Sequence, residues 1–261
     1  MRQIKPILSM KNQFNRLTLV AICAGLLSTV AVRAQNPAVP LTAPAPQPQW
    51  ETLASAGLTL TKGNSDTMLA NLGVTTTKKW TANEIGLGAS MTYGEVSGVQ
   101  NVNNYNGNAQ YNRLFSERLY GGLKLNATKD DIANIDYRLT LSPLLGYYFL
   151  KEPATQLSAE VGPSYVIEKL GATSRSYAGL RLGERFEHKF SDRAKLWQTA
   201  EFIPQVDQFS QYLINVELGV DSAITKQVSL RAVLQDNYNS KPAVGRKAND
   251  LRLITGIAYK F

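Results

Sequence analysis

Between Trp50 and Phe261, apolar residues recur at every second position in twelve successive segments, and none of these segments shows apolar residues at helical spacing. Successive side chains of a strand point to opposite faces, so this period predicts strands with one apolar face. The first segment carries Ala54, Ala56, Leu58 and Leu60, and the fourth Tyr105, Ala109, Tyr111 and Phe115. The eighth carries Ala178, Leu180, Leu182 and Phe186, and the last Leu251, Leu253, Ile257, Tyr259 and Phe261. The opposite faces are Ser, Thr, Asn, Gly and charge; in the fourth segment they read Asn104, Asn106, Asn108, Gln110 and Asn112.

A soluble sandwich would turn the apolar faces inward, and a membrane barrel would turn them outward; alternation alone fits both. Three further features favour the barrel. The connections alternate in length: Thr81-Ala82-Asn83, Ser116-Glu117, KEPAT, SDRAK and Thr225-Lys226-Gln227 are short, whereas GEVSGVQNVN and NSKPAVGRKAND are expected as longer outer loops. Aromatics mark both strand ends, with Trp80, Phe115, Tyr147, Phe149, Phe186, Phe190, Tyr259 and Phe261 at the short-turn end. Tyr93, Tyr105, Tyr137, Tyr165 and Tyr238 mark the other, as two membrane interfaces require. Finally, Ile257, Tyr259 and Phe261 close the chain with an alternating aromatic terminus, the kind of signal that barrel-assembly machinery reads. The expected fold is all-β: an antiparallel up-and-down transmembrane β-barrel of about 12 strands.

The segment before it agrees with export. Residues 1–34 read as a signal peptide, with Arg2, Lys5, Lys11 and Arg16 before the apolar run Leu17 to Val32, then Val32-Arg33-Ala34 before Gln35. Either Met1 or Met10 can be the initiator. Cys23, the single cysteine, lies inside the apolar run and not at its end, so lipidation is not expected. The exported chain then offers no thiol, disulfide or thiolate metal site. Residues 35–49 hold five prolines and no charge and read as an extended periplasmic linker. The formal charge of +8 owes much to the leader, which holds five basic and no acidic residues. Without it, 23 basic residues face 20 acidic ones, which gives nucleic acid no reason to bind.

The segment SAGLTLTKGNSDT after Trp50, the run of strands and the terminal GIAYKF resemble the domain of unknown function 481 family, a family labelled salt-induced outer membrane protein. The resemblance implies a β-barrel in the outer membrane of a Gram-negative bacterium, with lipid and the assembly machinery as partners. It brings no catalytic residues. Gly63-Asn64 is read as the tip of the first hairpin, where positive φ is needed; a sugar- or ion-binding tip is the alternative.

Two places strain the register. Glu184 falls on the apolar face between Leu182 and Phe186, so either a bulge near Gly183 turns it inward or the register slips, and Trp197 has the wrong parity too. Pro143 and Pro163 interrupt the sixth and seventh strands, at equal distances from the KEPAT turn. They should oppose one another and share a single gap in the ladder.

No enzyme is expected. His188 is the only histidine, it sits beside the SDRAK turn, and no serine is visibly paired with it. No metal site and no cofactor are expected either. The inner wall is expected to be uneven: Thr, Asn, Gln, Ser and Gly on the second to fifth strands, against Arg181, Arg185, Glu187, Glu201, Glu217, Asp221, Arg231 and Arg252 on the eighth to twelfth. Four arginines and four acids should pair. Two functions stay open: a narrow pore for ions or small solutes, sorted by the field of these charges, or a non-conducting structural or stress-induced envelope protein.

Overall fold

A computed structural model describes residues 49–61 and 66–261; the leader, the linker up to residue 48 and the Gly63-Asn64 tip lie outside the described residues. Twelve strands follow in order: β1 (Trp50–Thr61), β2 (Thr67–Trp80), β3 (Asn83–Val96), β4 (Val99–Leu114), β5 (Leu119–Asp130) and β6 (Ile135–Lys151). The second half comprises β7 (Thr155–Leu170), β8 (Thr173–Lys189), β9 (Ala194–Gln205), β10 (Gln208–Ala223), β11 (Val228–Asn239) and β12 (Asn249–Lys260). Each pairs antiparallel with its chain neighbours, and β1 pairs with β12, which closes the barrel. Closure satisfies most of the backbone groups that a membrane interior would leave unpaired, although among the described residues the β1–β12 ladder runs only from Leu53 to Ala56 of β1.

The apolar faces point outward. Leu72, Leu87, Leu123, Leu145, Val161, Leu182, Leu218 and Leu230 are all exposed on the outer wall. At the end where the chain enters and leaves, here called the near rim, Trp50, Phe115, Tyr147, Phe149, Phe190, Tyr259 and Phe261 are exposed. Neighbouring rings touch there: Tyr147 and Phe149 lie 5.2 Å apart, Tyr259 and Phe261 5.0 Å. Tyr105, Tyr137 and Tyr165 form the exposed row toward the far rim.

The expected difference in connection length is not general. Near-rim turns occupy 81–82, 115–118, 152–154, 190–193 and 224–227, but the far rim has equally tight turns at 97–98, 171–172 and 206–207. Only the connection 240–248 is markedly longer among those fully described. The supposed loop GEVSGVQNVN is mostly ladder, with Gly94 opposite Val102 and Val96 opposite Val99. Its tip is Ser97-Gly98, both residues with positive φ, as a two-residue hairpin with a right-handed twist demands. These strands run past the apolar belt, where Glu95, Gln100 and Asn101 are mixed with Val96, Val99 and Val102. The period-two signal ends there although the hydrogen bonding does not.

Pro143 and Pro163 do share one gap. Pairing of β6 with β7 runs through Leu141 opposite Tyr165, lapses, and resumes at Leu145 opposite Val161, which sets the two prolines across from each other. The strands press together in the gap: a Cβ on Gly162 would sit 2.0 Å from the Pro143 carbonyl oxygen. Behind the prolines, Ser142 and Ser164 face inward and are buried, and their Oγ atoms have no hydrogen-bond partner.

No bulge rescues Glu184. The β7–β8 register runs unbroken from Thr155 opposite His188 to Leu170 opposite Thr173, and Glu184 stands opposite Ala159 and Ala200 on the outer wall. There the Gln198 Nε2 donates to Glu184 Oε2 at 3.3 Å. Trp197, in contrast, points inward and is buried. Its ring lies flat over Gly219, where a Cβ would come within 2.0 Å of it.

The interior is packed on one side. Tyr120, Leu144 and Tyr148 form one buried cluster, Val166, Ile203 and Leu213 another, and all belong to β5–β10.

Candidate functional site: the charged lumen

Parity places all eight charged residues singled out above on the inner wall. Arg181 is the hub of the largest cluster. From β8 it reaches Glu160 of β7 (Nη1 to Oε2, 2.8 Å) and Glu201 of β9 (Nε to Oε1, 2.7 Å). Lys124 of β5 approaches the same Glu201 oxygen at 2.6 Å from across the lumen. Gln110 and Tyr120 donate to Glu160 Oε1 at 2.6 and 2.9 Å. Two cations, two anions and two neutral donors thus bind five strands together. Removing such charges from water is costly, and only this density of hydrogen bonds offsets it.

The other charges pair in separate groups. Arg231 holds Asp221 with two bonds of 2.7 Å and lies 4.7 Å over the Trp197 ring. The indole N–H of Trp197 donates to Glu217 at 2.8 Å, and Gln235 donates to the other Glu217 oxygen at 3.0 Å. Arg252 crosses from β12 to Asp130 of β5 at 2.6 Å. Asp130 also accepts from the backbone N–H groups of Ile132 and Ala133, and so fixes the far-rim turn. A cavity of about 140 Å³ beside this pair is lined by Asn101, Val102, Asp130, Asp250 and Arg252, among others. Arg185 and Glu187 stand apart: their contact is a loose 3.6 Å, and the Arg185 side chain is 63% exposed.

Lys124, Asp130, Glu160, Arg138, Glu168 and Arg175 complete these groups and escaped the sequence reading. Glu168 is wholly buried, held by Arg138 and Arg175 at 2.5 Å each. The signal was present, because Lys124 alternates with Leu123 and Leu125, and Glu160 with Ala159 and Val161. The uneven-wall expectation needs correction accordingly. Strand β5 is charged, and Glu84 of β3 accepts from the Tyr148 hydroxyl at 2.7 Å. The uncharged wall shrinks to β1 and β2, above the near-rim lysines and Glu51, plus the amide row of β4.

Filling is as uneven as charge. On β6 to β8 the inward residues Ser142, Leu144, Gly162, Ser164, Gly179 and Arg181 are all buried. On β1 and β2 the inward residues Thr59, Thr75 and Thr77 are exposed, and Ser55, Asn71 and Gly73 are partly so. The inward side chains are therefore least covered along β1 and β2, where they are also small.

His188 takes no part in the lumen. It lies parallel to Phe186 at 6.4 Å and edge-on to Phe190 at 4.8 Å in the near-rim aromatic row, with Nδ1 2.8 Å from the Thr155 hydroxyl. Ile257, Tyr259 and Phe261 are exposed on the outer wall, where the Phe261 N–H donates to the Thr52 carbonyl at 3.0 Å.

Several solved structures are similar in fold. The KdgM porin is 12% identical with a TM-score of 0.45, over 82% of this chain and 99% of its own. The NanC porin is 7% identical with a TM-score of 0.46, over 80% and 96%. The translocator domain of the autotransporter NalP from Neisseria meningitidis is 16% identical with a TM-score of 0.42, over 81% and 87%. No curated protein matches the sequence. The profile of the family described as "Protein of unknown function, DUF481" matches residues 54–261, nearly the whole barrel, and the chain belongs to that family.

Proposed function

We propose that the protein, freed of residues 1–34, is an outer-membrane barrel of a Gram-negative bacterium whose lumen is a narrow off-axis passage for ions and small polar solutes. Its location is supported by the outward belt of Leu and Val between two aromatic rows, a surface that water would not tolerate at this size. The passage rests on one contrast. Arg181 and Arg185 lie four residues apart on the same inward face, yet their side chains are 3% and 63% exposed. One arginine is built into the filling; the other faces open water. A solute moving along the Ser and Thr side chains of β1 and β2 meets few charges except those across the gap, with the loosely paired Arg185 foremost. A cationic group beside a low-dielectric wall favours anions over cations. No step of covalent chemistry is assigned, and the protein is read as a non-enzyme.

The second reading, a closed structural barrel, is favoured by the Lys124–Glu201 and Arg252–Asp130 bridges, which span the lumen. Planar-bilayer recording separates the two. Heat-modifiable, folded protein is expected to show small, weakly anion-selective steps, and Arg185→Ala to move the selectivity toward cations. A folded protein without any channel events would establish the structural reading.

A further inference from the structure

The seam between β1 and β12 is closed over only part of its length. All twelve residues of β1 pair with β2, but among the described residues only four pair with β12, from Leu53 opposite Lys260 to Ala56 opposite Ile257. The ladder ends where two glycines meet. A Cβ on Gly57 would lie 2.2 Å from the Thr255 carbonyl oxygen, and one on Gly256 2.3 Å from that of Ala56. Beyond this contact, Leu58–Leu60 pair only with β2, and 249–255 only with β11. The open stretch faces the far half of the belt: Leu58 is level with Ala70 and Tyr93, and Leu251 with Asp236 beside Tyr238.

Unpaired N–H and C=O groups cannot rest against hydrocarbon, so a strand edge at this depth needs polar partners from the lumen or from a ligand. The flanks of the seam are the reverse, mostly apolar: Leu58, Leu60, Leu251 and Leu253 are 63–64% exposed, with the hydroxyl of exposed Thr255 next to Leu253 on the same face. Just inside stand Thr59 and Ile254, and beyond them the polar lumen. Hydrogen-bonding groups and an apolar flank thus adjoin along one slot, open to the outer leaflet on one side and to water on the other.

We propose that this seam is a lateral portal that takes a single-chain amphiphile, its polar head hydrogen-bonded along the open edges of β1 and β12 and its acyl tail against the four leucines. The inference rests on the membrane location proposed above, but not on conduction through the lumen.

Two measurements test it, each on protein whose folding is checked by heat modifiability. A bimane label at Ile254→Cys, in vesicles of phosphatidylcholine brominated on the acyl chains, is expected to be quenched about twofold more than one at Ser90→Cys. Ser90 faces inward behind continuous ladders on both sides. Equal quenching overturns the portal, and is also the result expected if a second copy of the chain pairs with the open edge. Dansyl-undecanoate is expected to bind saturably, and about tenfold more weakly to Thr59→Trp, whose ring fills the slot, while Thr59→Ser retains binding. Unchanged binding by Thr59→Trp overturns the proposal. Ion conductance of the parent protein, recorded without amphiphile, is a separate readout: its absence rejects the pore reading alone, because the portal requires no conduction, whereas loss of the quenching difference or of saturable binding rejects the portal alone.

Discussion

Arg252 and Asp130 are 122 residues apart in the chain, sit on opposite sides of the lumen, and meet at 2.6 Å. The bond ties β12, the last strand, to the turn after β5, whose backbone N–H groups the same carboxylate accepts. Arg252→Ala is expected to widen the far mouth while Asp130 keeps its turn, so that single-channel conductance rises without loss of heat modifiability. Conductance unchanged in the variant would show that the pair does not border the passage.

The two inward arginines of β8 should separate stability from selectivity. Arg181→Ala leaves Glu160 and Glu201 short of a cation in a buried cluster and is expected to cost about 3–5 kcal/mol, read as a lower urea midpoint. Arg185→Ala, with its side chain in open water, should leave the midpoint within about 0.5 kcal/mol of the parent and change reversal potential instead.

Glu184 on the outer wall is a liability in lipid, even with Gln198 as a neighbour. Glu184→Leu is expected to stabilise the barrel in bilayers by about 1 kcal/mol, less than the ~2–4 kcal/mol typical of a midplane Lys or Arg. A destabilised Glu184→Leu in reversible urea unfolding would mean that the carboxylate has a partner in the folded protein that lipid does not replace.

Gly219 is required by Trp197. Gly219→Ala drives a methyl into the indole and should cost about 1–3 kcal/mol through the displaced ring. The same change should loosen the Trp197 hold on Glu217 and Arg231. A second substitution, Trp197→Phe, lacks the N–H and the outer ring; if it fails to recover part of the loss, the clash is not the cause.

Strand number and outer face were legible because a bilayer asks one thing of every strand, an apolar side at each second position, and asks it locally. The proline pair was legible for a similar reason: Pro143 and Pro163 flank the Glu152–Ala154 turn evenly, so register follows from counting. The strands around Ser97-Gly98 were not, since above the belt neither face has to be apolar. The lumen partners were the least accessible. Lys124 finds Glu201, and Arg252 finds Asp130, through barrel closure and strand stagger, quantities that no single segment encodes.

The gap at Pro143 and Pro163 divides the β6–β7 hairpin into two zippers with separate hydrogen-bond sets. Pulled out of a bilayer by an atomic-force tip, most hairpins of this barrel should yield as single units. This one should extend in two steps, with a pause near Leu144 and Gly162 where the upper rungs are gone and the lower ones still hold.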